Sequence, residues 1–163
     1  MKHLLLLALG SFIYCTSFAQ SNKEDVEMIQ AMYGKEKKAL TSDFIQLPEN
    51  KKEAFWKIYD DYENERKTLG KKRISLIEKY ADNYTSLNDN STDEIVKETI
   101  VLQKSTDALI AKYYDKISKA VGIKEAAQFY QLESYLLSIV RTEILTEIPF
   151  IGELGKKATH EKQ

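Results

Sequence analysis

The chain has 163 residues, with 24 basic and 25 acidic side chains for a formal charge of −1, two histidines and one cysteine. A near-neutral chain without a concentrated basic face excludes nucleic-acid binding of the ordinary kind, because phosphate recognition needs clustered cations. The scarcity of imidazole and thiol excludes the usual zinc sites and triads, and the absence of Gly-x-x-x-x-Gly-Lys-Ser/Thr and Gly-x-Gly-x-x-Gly sequences excludes the common nucleotide loops.

Residues 1–19 read as a secretory signal peptide. Lys2 and His3 precede an apolar run from Leu4 to Tyr14, and Ser17-Phe18-Ala19 offers a small-residue cleavage site after Ala19. The run is too short for a transmembrane helix, which takes about 20 apolar residues. Bulky Tyr14 before Cys15 argues against lipoprotein processing. Loss of the leader removes Lys2 and Cys15. The mature chain is then expected in the periplasm, without disulfides, stabilised by packing alone. Its 144 residues suffice for one domain, expected over 20–152, that buries roughly two-thirds of its unfolded surface.

Ser21-x-x-Glu24 has the form of a capping box, and Val26, Met28, Ile29, Met32 and Tyr33 follow at helical spacing, predicting a first helix over about 22–41. Thr41, Ser42 and Asp43 offer turn chemistry, and Leu47-Pro48-Glu49 reads as a restart with proline in the first turn. From Pro48 to Tyr84 the pattern predicts one long amphipathic helix, about 37 residues and roughly 55 Å at 1.5 Å per residue. Phe55, Tyr62, Leu69 and Leu76 recur every seven residues, and Tyr59, Arg66, Arg73 and Tyr80 form a second series. Sustained seven-residue repetition belongs to helices packed nearly parallel along a seam. Gly70, costing about 1 kcal/mol relative to alanine in a helix, marks the expected place for a bend.

Leu87 to Ser91 is polar and turn-like, and Ser91-x-x-Glu94 reads as a second capping box. The following helix carries the series Ile95, Leu102, Leu109 and Thr99, Thr106, Tyr113, which suits an antiparallel return along the long helix. Gly122 ends it. A last helix is predicted over about Lys124–Glu147, with Ala126, Phe129, Tyr130, Leu132, Leu136, Ile139, Val140 and Ile144 on its apolar face and Pro149 as its stop. Residues 153–163 read as a flexible tail. The expected class is all-α: a long helical hairpin with additional N- and C-terminal helices.

No nucleophile, base or ligand set assembles from these residues, so neither an enzyme nor a cofactor or metal protein is expected. Asp60, Asp61, Glu63 and Glu65 are carboxylates that suit a hard cation, but adjacent charges on an amphipathic helix read first as a solvated face. Phe55, Tyr62 and Phe129 fall on the core stripe, whereas Trp56, Tyr84 and Tyr114 fall off it and are open to a partner. Arg66 and Arg73 share their stripe with Tyr59 and Tyr80. They read either as snorkelling stems paired with acids on a neighbouring helix or as a cationic, half-apolar surface for anionic segments. Trp56, Tyr59, Arg66, Arg73, Tyr80, Tyr84 and Tyr114 are therefore the candidate protein-binding residues.

Leu47-Pro48-Glu49-Asn50 before the long helix, the hairpin return, and Gln128-Phe129-Tyr130-Gln131-Leu132-Glu133 together make residues 44–150 resemble the Spy/CpxP-like family of exported helical proteins. The family carries paired Leu-Thr-x-x-Gln motifs. Here the first copy, Leu47-Pro48-Glu49-Asn50-Lys51, lacks both threonine and glutamine, and the second, within 121–128, is degenerate. Phe55-Trp56-x-x-Tyr59-x-x-Tyr62-x-x-x-Arg66 and the closing Ile148-Pro149 look more like a Bacteroidetes-type branch described as stress or sigma-factor sensor-like. The resemblance implies a cradle-shaped antiparallel homodimer and an ATP-independent periplasmic chaperone or envelope-stress adaptor that binds unfolded or partner proteins. It leaves as alternatives a regulatory partner of a membrane stress sensor or sigma-factor pathway and, further off, a metal sensor.

Overall fold

The structure, a computed structural model, describes residues 33–151. The leader 1–19, the first helix's expected start with the Ser21–Glu24 cap, and the tail 153–163 lie outside the described residues. Every regular element among those described is helical: α1 over 33–44, α2 over Glu49–Asn83, a single 3₁₀ turn at Tyr84–Ser86, α3 over Asp89–Ala120 and α4 over Ile123–Glu147. By its contacts the chain divides after Ala39, and residues 40–151 belong to the second unit.

The boundaries follow local chemistry. Pro48 stands just ahead of α2 rather than inside its first turn, and its carbonyl accepts from Lys51 N at 2.9 Å. α2 passes through Gly70 without interruption. The cap of α3 lies three residues earlier than the sequence suggested. The Asn88 side chain accepts from the backbone N–H groups of Asn90 and Ser91, and Ser91 Oγ accepts in return from Asn88 N. Asn is as good an N-cap as Ser. Placed here it lets Ser91 close the box from inside the helix, so Glu94 is not needed.

Between α3 and α4 there are only two residues, Val121 and Gly122. Gly122 has φ +136°, a conformation that L side chains rarely adopt, and a Cβ there would sit 2.8 Å from Glu125 Oε2 and 3.3 Å from Lys51 Nζ. Glycine is thus required both by the backbone and by the Lys51–Glu125 ion pair (2.9 Å) that crosses the turn.

Cross-helix contacts fix the topology. Glu65 meets Lys112 and Tyr113, Arg73 meets Thr106, and Lys79 meets Glu94 and Glu98, so numbers fall along α3 as they rise along α2. The long hairpin is antiparallel. Lys51 with Glu125, Tyr62 with Phe129 and Glu133, and Tyr80 with Pro149 rise together, so α4 lies beside α2 in parallel. Both seven-residue series of α2 face this bundle: Phe55, Tyr59, Tyr62 and Tyr80 are buried, while Arg66, Leu69, Arg73 and Leu76 are half-buried. On α3, Ile95, Leu102, Thr106, Leu109 and Tyr113 are buried as their spacing predicts.

The two halves of the bundle pack differently. Toward the start of α2, aromatic rings meet edge to face: Tyr62 lies 5.1 Å from Phe129 and 5.3 Å from Tyr113, and Phe129 also meets Tyr59 at 6.4 Å. Such pairs add about 0.5–1.5 kcal/mol each beyond area burial. Ile45 and Thr41 close this end, with Thr41 Oγ1 3.2 Å from the Tyr59 hydroxyl. Toward the end of α2 the core is aliphatic and less covered, with Leu76, Ile77, Ile144 and Ile148 only half-buried.

On α4 the buried set is Glu125, Ala126, Phe129, Leu132, Glu133 and Leu137. Tyr130 and Ile139, expected on the apolar face, are 49% and 40% exposed. The face is rotated because it carries two carboxylates that hydrophobicity reading leaves out. Glu125 meets Lys51, and Glu133 accepts from the Tyr62 hydroxyl at 2.5 Å.

Candidate functional site

The candidate residues do not converge on one surface. Tyr59 is fully buried in the aromatic core. Its phenol is pushed well above the usual tyrosine range, first by burial and then by the charges of Glu63 and Glu133. Trp56 is half-buried, edge-on to Phe55 at 5.1 Å and Tyr59 at 5.3 Å. Tyr114 packs against Tyr130 at 6.1 Å, between α3 and α4.

Arg66 Nε donates to both carboxylate oxygens of Glu63, one turn earlier on its own helix, at 2.9 and 3.0 Å. Glu63 is only 7% exposed, so the acidic run of α2 is not wholly a solvated face. Of its other members, Glu65 is exposed but accepts from Lys112 Nζ and the Tyr113 hydroxyl, which hold its carboxyl below the usual range. No group of three or more His, Cys, Asp or Glu suited to a metal occurs among the described residues. No helix among them is long and apolar enough to cross a membrane.

Arg73, Tyr80 and Tyr84 do belong together, at the aliphatic end. There the bundle leaves an open groove of about 480 Å³. α2 lines it with Arg73, Leu76, Ile77 and Tyr80, and α3 contributes Ile95, Val96, Thr99, Leu102 and Gln103. The third wall runs from Arg141 through Ile144, Leu145 and Ile148 to Phe150 and Ile151.

Two tyrosines build this wall. Pro149 ends α4, and the chain beyond it is strapped to α2: the Tyr80 hydroxyl donates to Pro149 O and the Tyr84 hydroxyl to Phe150 O, both at 2.6 Å. The two rings meet at 5.4 Å. The strap's own side chains stay outside, Phe150 69% and Ile151 52% exposed. Volume and lining are those of a small-molecule or side-chain pocket, mostly apolar with a few polar groups.

Among the described residues, the charged side chains lining the groove are Arg73 and Arg141, both of them engaged. Arg73 Nη2 lies 3.4 Å from Thr106 Oγ1. Arg141 Nη2 contacts both oxygens of Asp107 at 2.9 and 3.0 Å, while its Nε is buried and without a hydrogen-bond partner. Of the residues at this end, sequence reading named Arg73, Tyr80 and Tyr84 as candidates and did not name Arg141 or the strap. Arg141 sits in a helix whose apolar residues spread around most of its circumference, so no stripe singled it out. The strap consists of exposed apolar residues beyond a helix stop, where periodicity carries no information.

No family model, curated protein or solved structure matches the chain.

Proposed function

We propose that the chain is an exported, ATP-independent protein-binding factor of the chaperone or stress-adaptor kind, and that the groove at the open end of the bundle takes apolar side chains of its partners. The observation that carries this reading is the groove itself, a half-open apolar trough rimmed by exposed Val96, Leu145, Phe150 and Ile151. A monomeric surface with a contiguous apolar rim is a common mark of an interaction site. The groove is open to solvent and walled mostly by aliphatic side chains, so capture is weak and release needs no nucleotide. Trp56, Tyr59 and Arg66, which belong to the packed end, act in this reading as scaffold. Arg73, Tyr80 and Tyr84 border the contact.

The test is delay of aggregation of a chemically unfolded client by an equimolar amount of the protein. Leu145→Glu and Phe150→Glu place charges on the rim at exposed positions, where folding is spared. The protein should delay aggregation and both variants should lose the effect. A protein that gives no delay, or variants that protect as well as the parent, would refute the reading.

A further inference from the structure

We infer that the groove selects basic polypeptide segments, in which an apolar side chain is flanked by lysine or arginine. The inference rests on the reading of the groove as a polypeptide site and names the class of segment it takes.

The charge at the strap end is one-sided. From Tyr80 to Val96 and from Thr142 to Ile151, the stretches that form this end of the bundle, there are six carboxylates and no lysine, arginine or histidine. Two flanking lysines reach in, Lys79 to Glu94 at 3.0 Å and Lys97 to Asp93 at 2.6 Å. Among the described residues, no ion pair or side-chain hydrogen bond engages the exposed carboxylates of Asp82, Glu143 or Glu147. Glu147 stands at the groove's wall: it lines an adjoining cleft with Leu145, Ile148, Pro149 and Phe150, all of which also line the groove.

The backbone adds to the same sign. α2 and α4 run parallel, so both end here, and neither has a basic residue in its last turn. The last carbonyls of a helix carry about half a negative charge and favour cations. Asp82 and Glu147 occupy those last turns instead, an arrangement that a cation from outside relieves. α3 begins at this end, and Asp89 in its first turn already faces its positive pole. The sign is opposite to the cationic face that Arg66 and Arg73 suggested, since Arg66 is held by Glu63, Arg73 is engaged, and Arg141 is held by Asp107. An apolar side chain seated in about 480 Å³ of mostly aliphatic space sets its neighbours beside this acidic end. Basic neighbours are steered in and acidic ones meet like charge.

The experiment titrates the purified chain, by calorimetry and two-dimensional NMR, with three peptides that share a Leu-Phe-Leu centre flanked on both sides by two lysines, two glutamines or two glutamates. The lysine peptide should bind saturably, one per chain, and shift the signals of Leu76, Val96 and Leu145. It should bind about tenfold more tightly than the glutamine peptide, as two or three exposed ion pairs allow, with the glutamate peptide weakest. Added salt should narrow the difference. Asp82→Asn, Glu143→Gln and Glu147→Gln together, all at exposed positions, should remove most of the preference and leave the glutamine peptide's affinity unchanged. Equal binding of the three peptides, a preference that the triple variant retains, or shifts confined to residues away from the groove would overturn the proposal and leave the polypeptide reading standing. Failure of every peptide to bind would overturn both. A preference that emerges only after Lys156→Gln and Lys157→Gln would overturn the proposal in favour of the chain's own tail as the occupant.

Discussion

Removing one hydroxyl from the middle of the bundle is the most direct perturbation of its packing. The Tyr62 hydroxyl donates to Glu133 Oε2 at 2.5 Å, with Tyr62 2% and Glu133 3% exposed. A hydrogen bond to a charged group contributes about 1.5–3 kcal/mol, so Tyr62→Phe should destabilise by about that amount. With a urea slope near 2 kcal/mol/M, the unfolding midpoint should fall by about 1 M. Glu133 has further polar contacts, so Glu133→Leu alone measures more than this bond. A double-mutant cycle with Tyr62→Phe, Glu133→Leu and the pair cancels those other terms. The coupling should again be about 1.5–3 kcal/mol, with the double variant much less destabilised than the two singles together. Urea unfolding followed by far-ultraviolet circular dichroism gives all four values. Coupling below about 0.5 kcal/mol, the level expected of independent sites, would refute the assignment of a buried charge-assisted bond.

Gly122→Ala should destabilise by about 1–3 kcal/mol, because it forces an L residue to φ +136° and pushes a methyl against Glu125 Oε2; thermal unfolding would show it. The Tyr59 and Tyr62 phenols are raised above the ordinary value of 10.0, burial being the main cause. The unfolded chain therefore releases these protons first, and their contribution to stability is full below pH 10.0 and lost as pH rises beyond it. A spectrophotometric titration should show both ionising only on alkaline unfolding. Glu125 is shifted the other way by its hydrogen bond from Lys51, below the ordinary 4.5, so its contribution is present above pH 4.5 and lost as pH falls below it. Glu125→Gln should flatten the acid limb of stability against pH. Tyr80→Phe should cost about 0.5–1.5 kcal/mol and loosen the strap, seen as faster proteolysis near Phe150.

The hairpin was legible because its signal is long. Two seven-residue series on α2 and two on α3 left little choice of facing surfaces, and Gly122 and Pro149 punctuated the chain unambiguously. Phe55, Tyr62 and Phe129 are core, as their spacing predicted, and Trp56, Tyr84 and Tyr114 are the half-buried ones. Burial of Tyr59 and Tyr80 was harder to see. Two arginines between them left the stripe open to two readings, seam or surface; both are half-buried along the seam, with Arg66 meeting Glu63 and Arg73 meeting Thr106. Glu125 and Glu133 were missed because a buried carboxylate is identified only by its partner, and those partners lie 74 and 71 residues away. The groove is a property of how two ends of one bundle differ in packing, and no single segment encodes it.

Seven-residue repetition has a hidden ambiguity: sliding one helix past another by a heptad, about 10 Å, restores nearly the same pattern of apolar contacts. The Tyr62–Glu133 pair removes that ambiguity. Were α2 displaced by one heptad against α4, Glu133 would face Leu69 or Phe55 in place of the Tyr62 hydroxyl, burying a carboxylate against hydrocarbon. The aliphatic side chains farther along carry no such penalty of their own. This buried polar contact, with Lys51–Glu125 before it and Tyr80–Pro149 beyond it, thus indexes the length of the bundle and sets which residues of α2 and α4 come level with each other where the groove opens.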